Sequence, residues 1–99
     1  MTKSNIIELL RKNNVEIRKR FHAEILAVYG SYARGEQTPQ SDLDVLYKIT
    51  SPDRFGLLEI DGLESYLKEL TKVPSVDLVN ENYINPIIHL EIKDELIYV

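Results

Sequence analysis

The 99-residue sequence contains no cysteine, only four glycines and only four prolines. The absence of cysteine excludes disulfide bonds and metal sites built on thiolates. No apolar run approaches the length that a membrane span requires, and the first residues lack the long apolar core of a secretory signal peptide. We therefore expect a cytoplasmic protein that does not associate with a membrane.

The composition is that of a globular protein, with 43% hydrophobic and 28% charged residues and a formal net charge of −4. This acidic balance argues against sequence-independent binding of long nucleic acid, which depends on neutralising many phosphates with Lys and Arg. A nucleotide is not excluded, because bound metal ions can supply local positive charge. The length suits a single domain over residues 1–99, and we find no internal repeat and no linker.

Two apolar runs predict strands on either side of a short turn and helix. The runs are Glu24–Tyr29 and Asp42–Ile49. Gly30 permits a backbone turn that other residues resist, and a short helix is expected from Ser31 to Gly35, with the glycine as its C-cap.

The rest of the chain alternates helical and strand patterns. The predicted elements are a helix over residues 3–11, a break at Asn13–Asn14, a second helix at Asn14–Phe21, a helix carrying apolar residues from Leu57 to Leu70, a strand at Val73–Val79, a helix that begins after Asn85-Pro86, and an apolar ending at Ile97–Val99.

Three acids are candidate ligands for a cation. Asp42 and Asp44 alternate along a predicted strand, so both project to one face, and two such close carboxylates repel each other unless a cation lies between them. Oxygen ligands of this kind suit Mg²⁺, which also binds substrate phosphates. Asp77 lies in an apolar run, where an acid is costly unless it is paired or metal-bound. Alternatively, Asp42 is a turn residue and Asp77 a solvated residue at a strand end.

The turn after the first strand offers a candidate anion site. Ser31 lies where a helix begins, and the free N–H groups of a helix N-terminus favour anions such as phosphate. Ser31 could equally be the N-cap of that helix, and the two roles are compatible. Arg34 is either an ordinary surface cation, a ligand of a triphosphate, or a residue that fixes the loop by pairing with a carboxylate.

The spacing of these residues also resembles a known signature. The pattern Gly30-Ser31-x10-Asp42-x-Asp44 is similar to that of the DNA polymerase β-type nucleotidyltransferase superfamily. With Ala33-Arg34-Gly35 and Ser41 added, the chain resembles the minimal nucleotidyltransferase (MNT) proteins, which are short chains, often antitoxins, encoded beside HEPN-domain partners.

The resemblance implies an α/β (α+β) fold with a small mixed sheet flanked by helices, and it implies transfer of a nucleoside monophosphate from a triphosphate. Two Mg²⁺ ions would be held by Asp42, Asp44 and Asp77, which would be the catalytic residues. The nucleotide, expected to be ATP, would be bound by Gly30, Ser31, Arg34 and Ser41. In MNT–HEPN pairs the antitoxin adds AMP to a tyrosine of the toxin, so a HEPN-type toxin is the expected partner.

Two other functions stay open. The protein could be a binding module that neutralises its partner by covering it, with an idle nucleotide site. It could also be a small-molecule nucleotidyltransferase of the antibiotic-resistance kind, completed by formation of a homo-oligomer. A chain of this length has little room for an acceptor site, which favours an acceptor that is itself a folded protein.

Overall fold

The chain forms one mixed four-stranded sheet, and its main helices pack against one face of that sheet. The computed structural model describes residues 2–99, apart from the side chain of Ile88. The elements are α1 (Lys3–Phe21), β1 (Ala23–Tyr29), α2 (Gly30–Arg34), β2 (Leu43–Ile49), α3 (Leu57–Thr71), β3 (Val76–Asn80), α4 (Pro86–Ile92) and β4 (Ile97–Tyr98), with 3₁₀ turns at Pro52–Arg54 and Glu81–Tyr83.

The strand order across the sheet is β3-β2-β1-β4. β1 runs antiparallel to both β2 and β4, whereas β2 and β3 are parallel. The connection between the parallel strands passes through α3, as expected for a crossover that needs a dozen or more residues. The expected mixed sheet flanked by helices is confirmed.

The hydrophobic core lies between the sheet and the helices α1 and α3. Its most deeply buried members are Ile6, Leu10, Ile17, Ile25, Leu43, Val45, Leu63 and Leu67. The helical spacing of the apolar residues in α1 and α3 and the alternation along β2 account for this arrangement. The opposite face of the sheet carries the polar residues described below.

The prediction of a break at Asn13–Asn14 is wrong, because α1 is one continuous helix of 19 residues. Both asparagine side chains have partners that make them compatible with the helix. Asn13 Nδ2 donates to the carbonyl of Leu9, one turn earlier, at 2.8 Å. Asn14 forms two hydrogen bonds with the backbone of Ile25, accepting from its N–H and donating to its carbonyl, each at 2.9 Å.

The remaining expected elements are present with shifted boundaries. β2 begins at Leu43 rather than Asp42, and β3 begins at Val76 rather than Val73. The side chain of Asn85 accepts a hydrogen bond from the N–H of Ile87, so the predicted N-cap with a following proline is confirmed. Among residues 2–99, none of the helices combines the length and the apolar character needed to cross a bilayer.

Candidate active site

The turn from β1 into α2 requires glycine for two reasons. Gly30 has a φ of +75°, in the left-handed region that other residues adopt at a cost. In addition, a Cβ atom at this position would overlap Oδ2 of Asp44. The backbone of the turn therefore lies directly against the Asp44 carboxylate.

The short helix α2 differs by one residue at each end from the prediction. It covers Gly30–Arg34, with Gly35 as the left-handed C-cap at a φ of +73°. Tyr29 occupies the N-cap position and makes no side-chain capping bond, so the reading of Ser31 as the N-cap is wrong. Ser31 lies in the first turn of the helix, and its side chain is half-buried.

Three polar side chains form a row across three strands. Tyr29 is paired with Asp44 in the antiparallel register of β1 and β2. Asp44 is paired with Asp77 in the parallel register of β2 and β3. Because residues directly opposite each other on neighbouring strands point to the same face, the two acids and the tyrosine share one face of the sheet.

The pKa values of this row reflect burial and crowded negative charge. Partial burial, together with the charges of Asp77 and Asp42, raises the pKa of Asp44 to about 6. Burial and the charges of Asp77 and Asp44 raise the pKa of the Tyr29 hydroxyl to about 12. The three acids thus lie near enough to one another to interact electrostatically.

Asp42 lies just before β2 and is exposed. Its Oδ1 accepts a hydrogen bond from the hydroxyl of Ser75, which precedes β3. The backbone N–H of Leu43 donates to the carbonyl of Ser75 at 3.0 Å, so the starts of the two parallel strands are joined at this point. Ser75 was not identified from the sequence, because its proximity to Asp42 depends on how β2 and β3 pair.

Asp77 is exposed, so its apolar neighbours impose no desolvation cost on it, and the alternative of a solvated residue describes its surroundings better. β3 is an edge strand of the sheet, and Asp77 projects from it on the open face. Asp77 lies beside Asp44 because β3 and β2 pair in this register.

Mg²⁺ fits the chemistry of these three acids. All three supply carboxylate oxygens. Burial and the charges of Asp77 and Asp42 raise the pKa of Asp44, and a divalent cation would relieve the part of that shift that comes from crowded negative charge. Over residues 2–99, however, no group of three or more acidic or histidine side chains is drawn together tightly enough to form a metal site as it stands. The assignment of the three acids as metal ligands therefore stays a prediction.

A cavity of about 600 Å³ adjoins this row of acids. Its lining comprises Tyr29, Gly30, Ser31, Arg34, Gln40, Ser41, Asp42, Asp44, Glu91, Ile92 and Glu95. All of the predicted site residues except Asp77 line this one cavity. Glu91, Ile92 and Glu95 were not predicted, because they lie about 50 residues beyond Asp44 in the sequence and come to this cavity through the fold.

Arg34 is held by two carboxylates from different parts of the chain. Its Nη1 is 3.1 Å from Oε1 of Glu95, and its Nε is 3.2 Å from Oε1 of Glu36. Oε2 of Glu95 also accepts a hydrogen bond from the backbone N–H of Gly30, at 3.4 Å. Of the three roles considered for Arg34, pairing with a carboxylate is the one present in this structure.

Ser41 has a local role in the loop before β2. Its hydroxyl oxygen accepts a hydrogen bond from the N–H of Thr38 at 2.8 Å and lies 3.3 Å from the Thr38 hydroxyl. Ser41 thus shapes the rim of the cavity. Its predicted contact with a nucleotide stays a prediction.

Comparison with known proteins identifies the family. Residues 6–99 match the family described as nucleotidyltransferase domain. The chain belongs to this family. Nucleotidyltransferases are enzymes, and this chain carries the Gly-Ser turn and the paired acids of the expected signature in one cavity.

Two relatives align with this nucleotidyltransferase along nearly its whole length. A candidate protein adenylyltransferase of Methanocaldococcus jannaschii is 40% identical over 99 residues, covering 99% of this chain and 98% of the relative. The protein adenylyltransferase MntA of Thermococcus cleftensis is 33% identical over 99 residues, covering 100% of this chain and 97% of the relative.

Solved structures share the fold of this nucleotidyltransferase. A candidate minimal nucleotidyltransferase is 29% identical, with a TM-score of 0.76 and coverage of 100% of this chain and 97% of that chain. A toxin–antitoxin structure with AMP-PNP gives a TM-score of 0.57 at 23% identity, covering 89% of this chain and 64% of that chain. The tri-AMPylated Shewanella oneidensis HEPN toxin in complex with MNT antitoxin gives a TM-score of 0.56 at 18% identity, covering 97% of this chain and 66% of that chain. The last two likenesses concern the fold alone.

Proposed function

We propose that this nucleotidyltransferase transfers AMP from ATP to a hydroxyl group of a partner protein, and that the acceptor is a tyrosine of a HEPN-type toxin. The observation that carries the proposal is the placement of Asp42 and Asp44 in the same cavity as Gly30 and Ser31, with Asp77 opposite Asp44. The names of the two relatives, both of which include protein adenylyltransferase, support a protein acceptor.

The reaction replaces one oxygen on the α-phosphorus of ATP by another. The acceptor oxygen forms a bond to phosphorus, the bond to pyrophosphate breaks, and the hydroxyl proton leaves. When bound by Asp42, Asp44 and Asp77, two Mg²⁺ ions would lower the pKa of the attacking hydroxyl and stabilise the departing oxygen.

The protein's own residues position the two substrates on either side of Asp44. Ser31 lies in the cavity beside Gly30, where its hydroxyl can donate a hydrogen bond to the terminal phosphates. Asp77 lies on the other side, exposed on the edge strand β3, where a hydroxyl carried by a large partner can reach it. We assign to Asp77 the removal of the proton from that hydroxyl.

A protein acceptor also suits the surface next to the site. Tyr83, Ile87 and Leu90 are large apolar side chains that are more than 60% exposed. They lie on or just before α4, whose last residue, Ile92, lines the cavity. Exposed apolar groups next to a site are typical of surfaces that bind another protein. The structure of an AMPylated HEPN toxin with an MNT antitoxin is the precedent for the class of partner.

The test is to incubate the protein with its partner, ATP and Mg²⁺ and to measure the intact mass of the partner. We expect the partner to gain AMP units, and we expect Asp42→Asn or Asp44→Asn to reduce the rate on the order of 10³-fold or more. Asp61→Asn, an exposed acid on α3, is the matched control and should leave the rate unchanged.

Two outcomes would overturn the proposal in favour of the other functions. The protein is a binding module if the Asp42→Asn variant still neutralises the partner and if neither the wild type nor this variant changes the partner's mass. A homodimer that adenylylates a soluble hydroxyl compound and leaves the protein partner unmodified would indicate a small-molecule nucleotidyltransferase.

A further inference from the structure

Glu95 occupies two of the hydrogen-bond donors that a phosphate would need in the cavity. One carboxylate oxygen accepts from the backbone N–H of Gly30, and the other lies 3.1 Å from Nη1 of Arg34. Both donors line the same cavity as Ser31. A carboxylate and a phosphate present similar oxygen acceptors to such donors, so Glu95 lies where an anionic ligand of the cavity would bind.

The charges that line the cavity make the contact between Glu95 and Arg34 important for the binding of a triphosphate. Arg34 is the one cationic side chain among the lining residues, whereas Asp42, Asp44, Glu91 and Glu95 are acidic. A triphosphate entering the cavity can pair with the guanidinium only where Glu95 does not already hold it. A Glu95 carboxylate that remained in place would also repel the phosphates.

The backbone that carries Glu95 is fixed on both sides. Its N–H donates to the carbonyl of Ile92 at 2.8 Å, in the turn that ends α4. Two residues further on, β4 pairs with β1, and the N–H of Val99 donates to the carbonyl of Leu26 at 2.9 Å. Release of Arg34 therefore requires a rotation of the Glu95 side chain and leaves the chain around it in place.

We propose that Glu95 is an internal competitor of the nucleotide: it holds Arg34 and the Gly30 N–H in the free protein and gives them up to the triphosphate of ATP. Glu95 thereby sets the affinity of the site for nucleotide. This inference rests on the proposed function, since it takes ATP to be the ligand of the cavity.

The chain offers two matched controls. Glu36 also pairs with Arg34, at 3.2 Å from Nε, but it does not line the cavity. Glu91 lines the cavity, but within residues 2–99 no hydrogen bond or ion pair joins it to Arg34 or Gly30. Glu36→Gln thus frees the guanidinium from one carboxylate, and Glu91→Gln removes one charge from the cavity without removing a competitor.

The experiment measures the affinity for ATP in the presence of Mg²⁺ by calorimetry for the wild type and for Glu95→Gln, Glu36→Gln and Glu91→Gln. We expect Glu95→Gln to bind ATP about three- to tenfold more tightly, the range for a partly exposed ion pair with an added hydrogen bond. Each control should change the affinity by less than about twofold. Glu95→Ala, which should behave like Glu95→Gln, provides a second variant whose folding can be checked by thermal unfolding.

A spectroscopic measurement tests the displacement itself. In the wild type, the amide signal of Gly30 should move when ATP is added, because its hydrogen-bond acceptor changes. In Glu95→Gln without nucleotide, the same signal should already differ from that of the wild type.

The inference is overturned if Glu95→Gln binds ATP no more tightly than the wild type, or if its gain is matched by Glu91→Gln. If the wild type binds and transfers AMP in either of these cases, the proposed function stands and only the role of Glu95 fails. If neither the wild type nor any variant binds ATP, the proposed function fails, and the role of Glu95 fails with it.

Discussion

Asp44 lies directly opposite Asp77 in the parallel register of β2 and β3, on the face of the sheet that carries the cavity. Partial burial and the charges of Asp77 and Asp42 raise the pKa of Asp44 to about 6 from its ordinary value of 3.8. The folded protein therefore binds the Asp44 proton more tightly than the unfolded chain does. Above pH 6, ionised Asp44 destabilises the fold unless a cation compensates its charge.

Asp44→Asn is expected to stabilise the metal-free protein at pH 8. The gain in the free energy of unfolding should be about 1 kcal/mol, once solvent screening of this half-exposed carboxylate is taken into account. The gain should shrink as the pH falls through 6, because the wild-type carboxylate becomes protonated, and it should vanish near pH 4. Urea denaturation in EDTA at pH 8 and at pH 4 measures it, with Asp61→Asn as control. Equal stability of Asp44→Asn and wild type at pH 8 would contradict the prediction.

Mg²⁺ should make the wild type more stable than Asp44→Asn, which is the reverse of their order without the ion. At a concentration about ten times its dissociation constant, a cation bound only by the folded state adds about 1.4 kcal/mol to the free energy of unfolding. We expect thermal unfolding at pH 8 to show this gain for the wild type and to show little or none for Asp44→Asn. An identical Mg²⁺ response in both proteins would mean that Asp44 is not a ligand of the ion.

Gly30 and Gly35 allow backbone strain to be separated from steric overlap. Their φ values are +75° and +73°, but a Cβ at Gly30 would overlap the Asp44 carboxylate, whereas a Cβ at Gly35 would meet nothing within 4 Å. Gly35→Ala should cost about 1 kcal/mol of stability through strain alone and should retain transfer activity. Gly30→Ala should cost more stability and reduce transfer on the order of 100-fold, because Asp44 must move.

Urea denaturation and the intact-mass assay for AMP transfer together measure both effects. Similar losses of activity in Gly30→Ala and Gly35→Ala would show that the conformation of the turn matters and that its contact with Asp44 does not.

The sequence predicted the parts of the site that are close together along the chain. Gly30, Ser31, Asp42 and Asp44 were identified because a strand, a turn and a second strand fix their relative positions through local geometry. For Asp77, the argument from its apolar neighbours fails because the side chain is exposed, and its place beside Asp44 depends on the register of β3 with β2. The register of parallel strands is set by packing across the whole sheet, which a local pattern does not contain.

Residues that act across long separations could not be predicted. Glu95 contacts Arg34 from a distance of 61 residues along the chain, and Ser75 contacts Asp42 from 33. The Asn13–Asn14 pair was misread for the same reason. Asparagine has a low intrinsic helix propensity, and here it is offset by hydrogen bonds to groups that only the folded chain brings near. Asn14 bonds the backbone of Ile25, and Asn13 accepts from the hydroxyl of Tyr66.

Asn14 supplies the hydrogen bonds that β4 is too short to make. β4 pairs with Ala27 and Val28 of β1 and does not reach Ile25. The N–H and carbonyl of Ile25 therefore have no neighbouring strand on the β4 side of β1. The Asn14 amide bonds both groups at 2.9 Å. Asn14→Ala should therefore reduce the free energy of unfolding by about 2–3 kcal/mol, since it leaves two backbone groups of the buried residue Ile25 without partners.

Asn14→Asp tests whether the hydrogen bond to the carbonyl of Ile25 is needed. The aspartate keeps an acceptor for the N–H of Ile25 but places a second acceptor against its carbonyl, so it should be no more stable than Asn14→Ala. Glu16→Ala, at an exposed position on the same helix, is the control and should change stability by less than about 0.5 kcal/mol. Urea denaturation at pH 7 measures all three variants, and a loss in Asn14→Ala as small as that of the control would show that water satisfies Ile25 equally well.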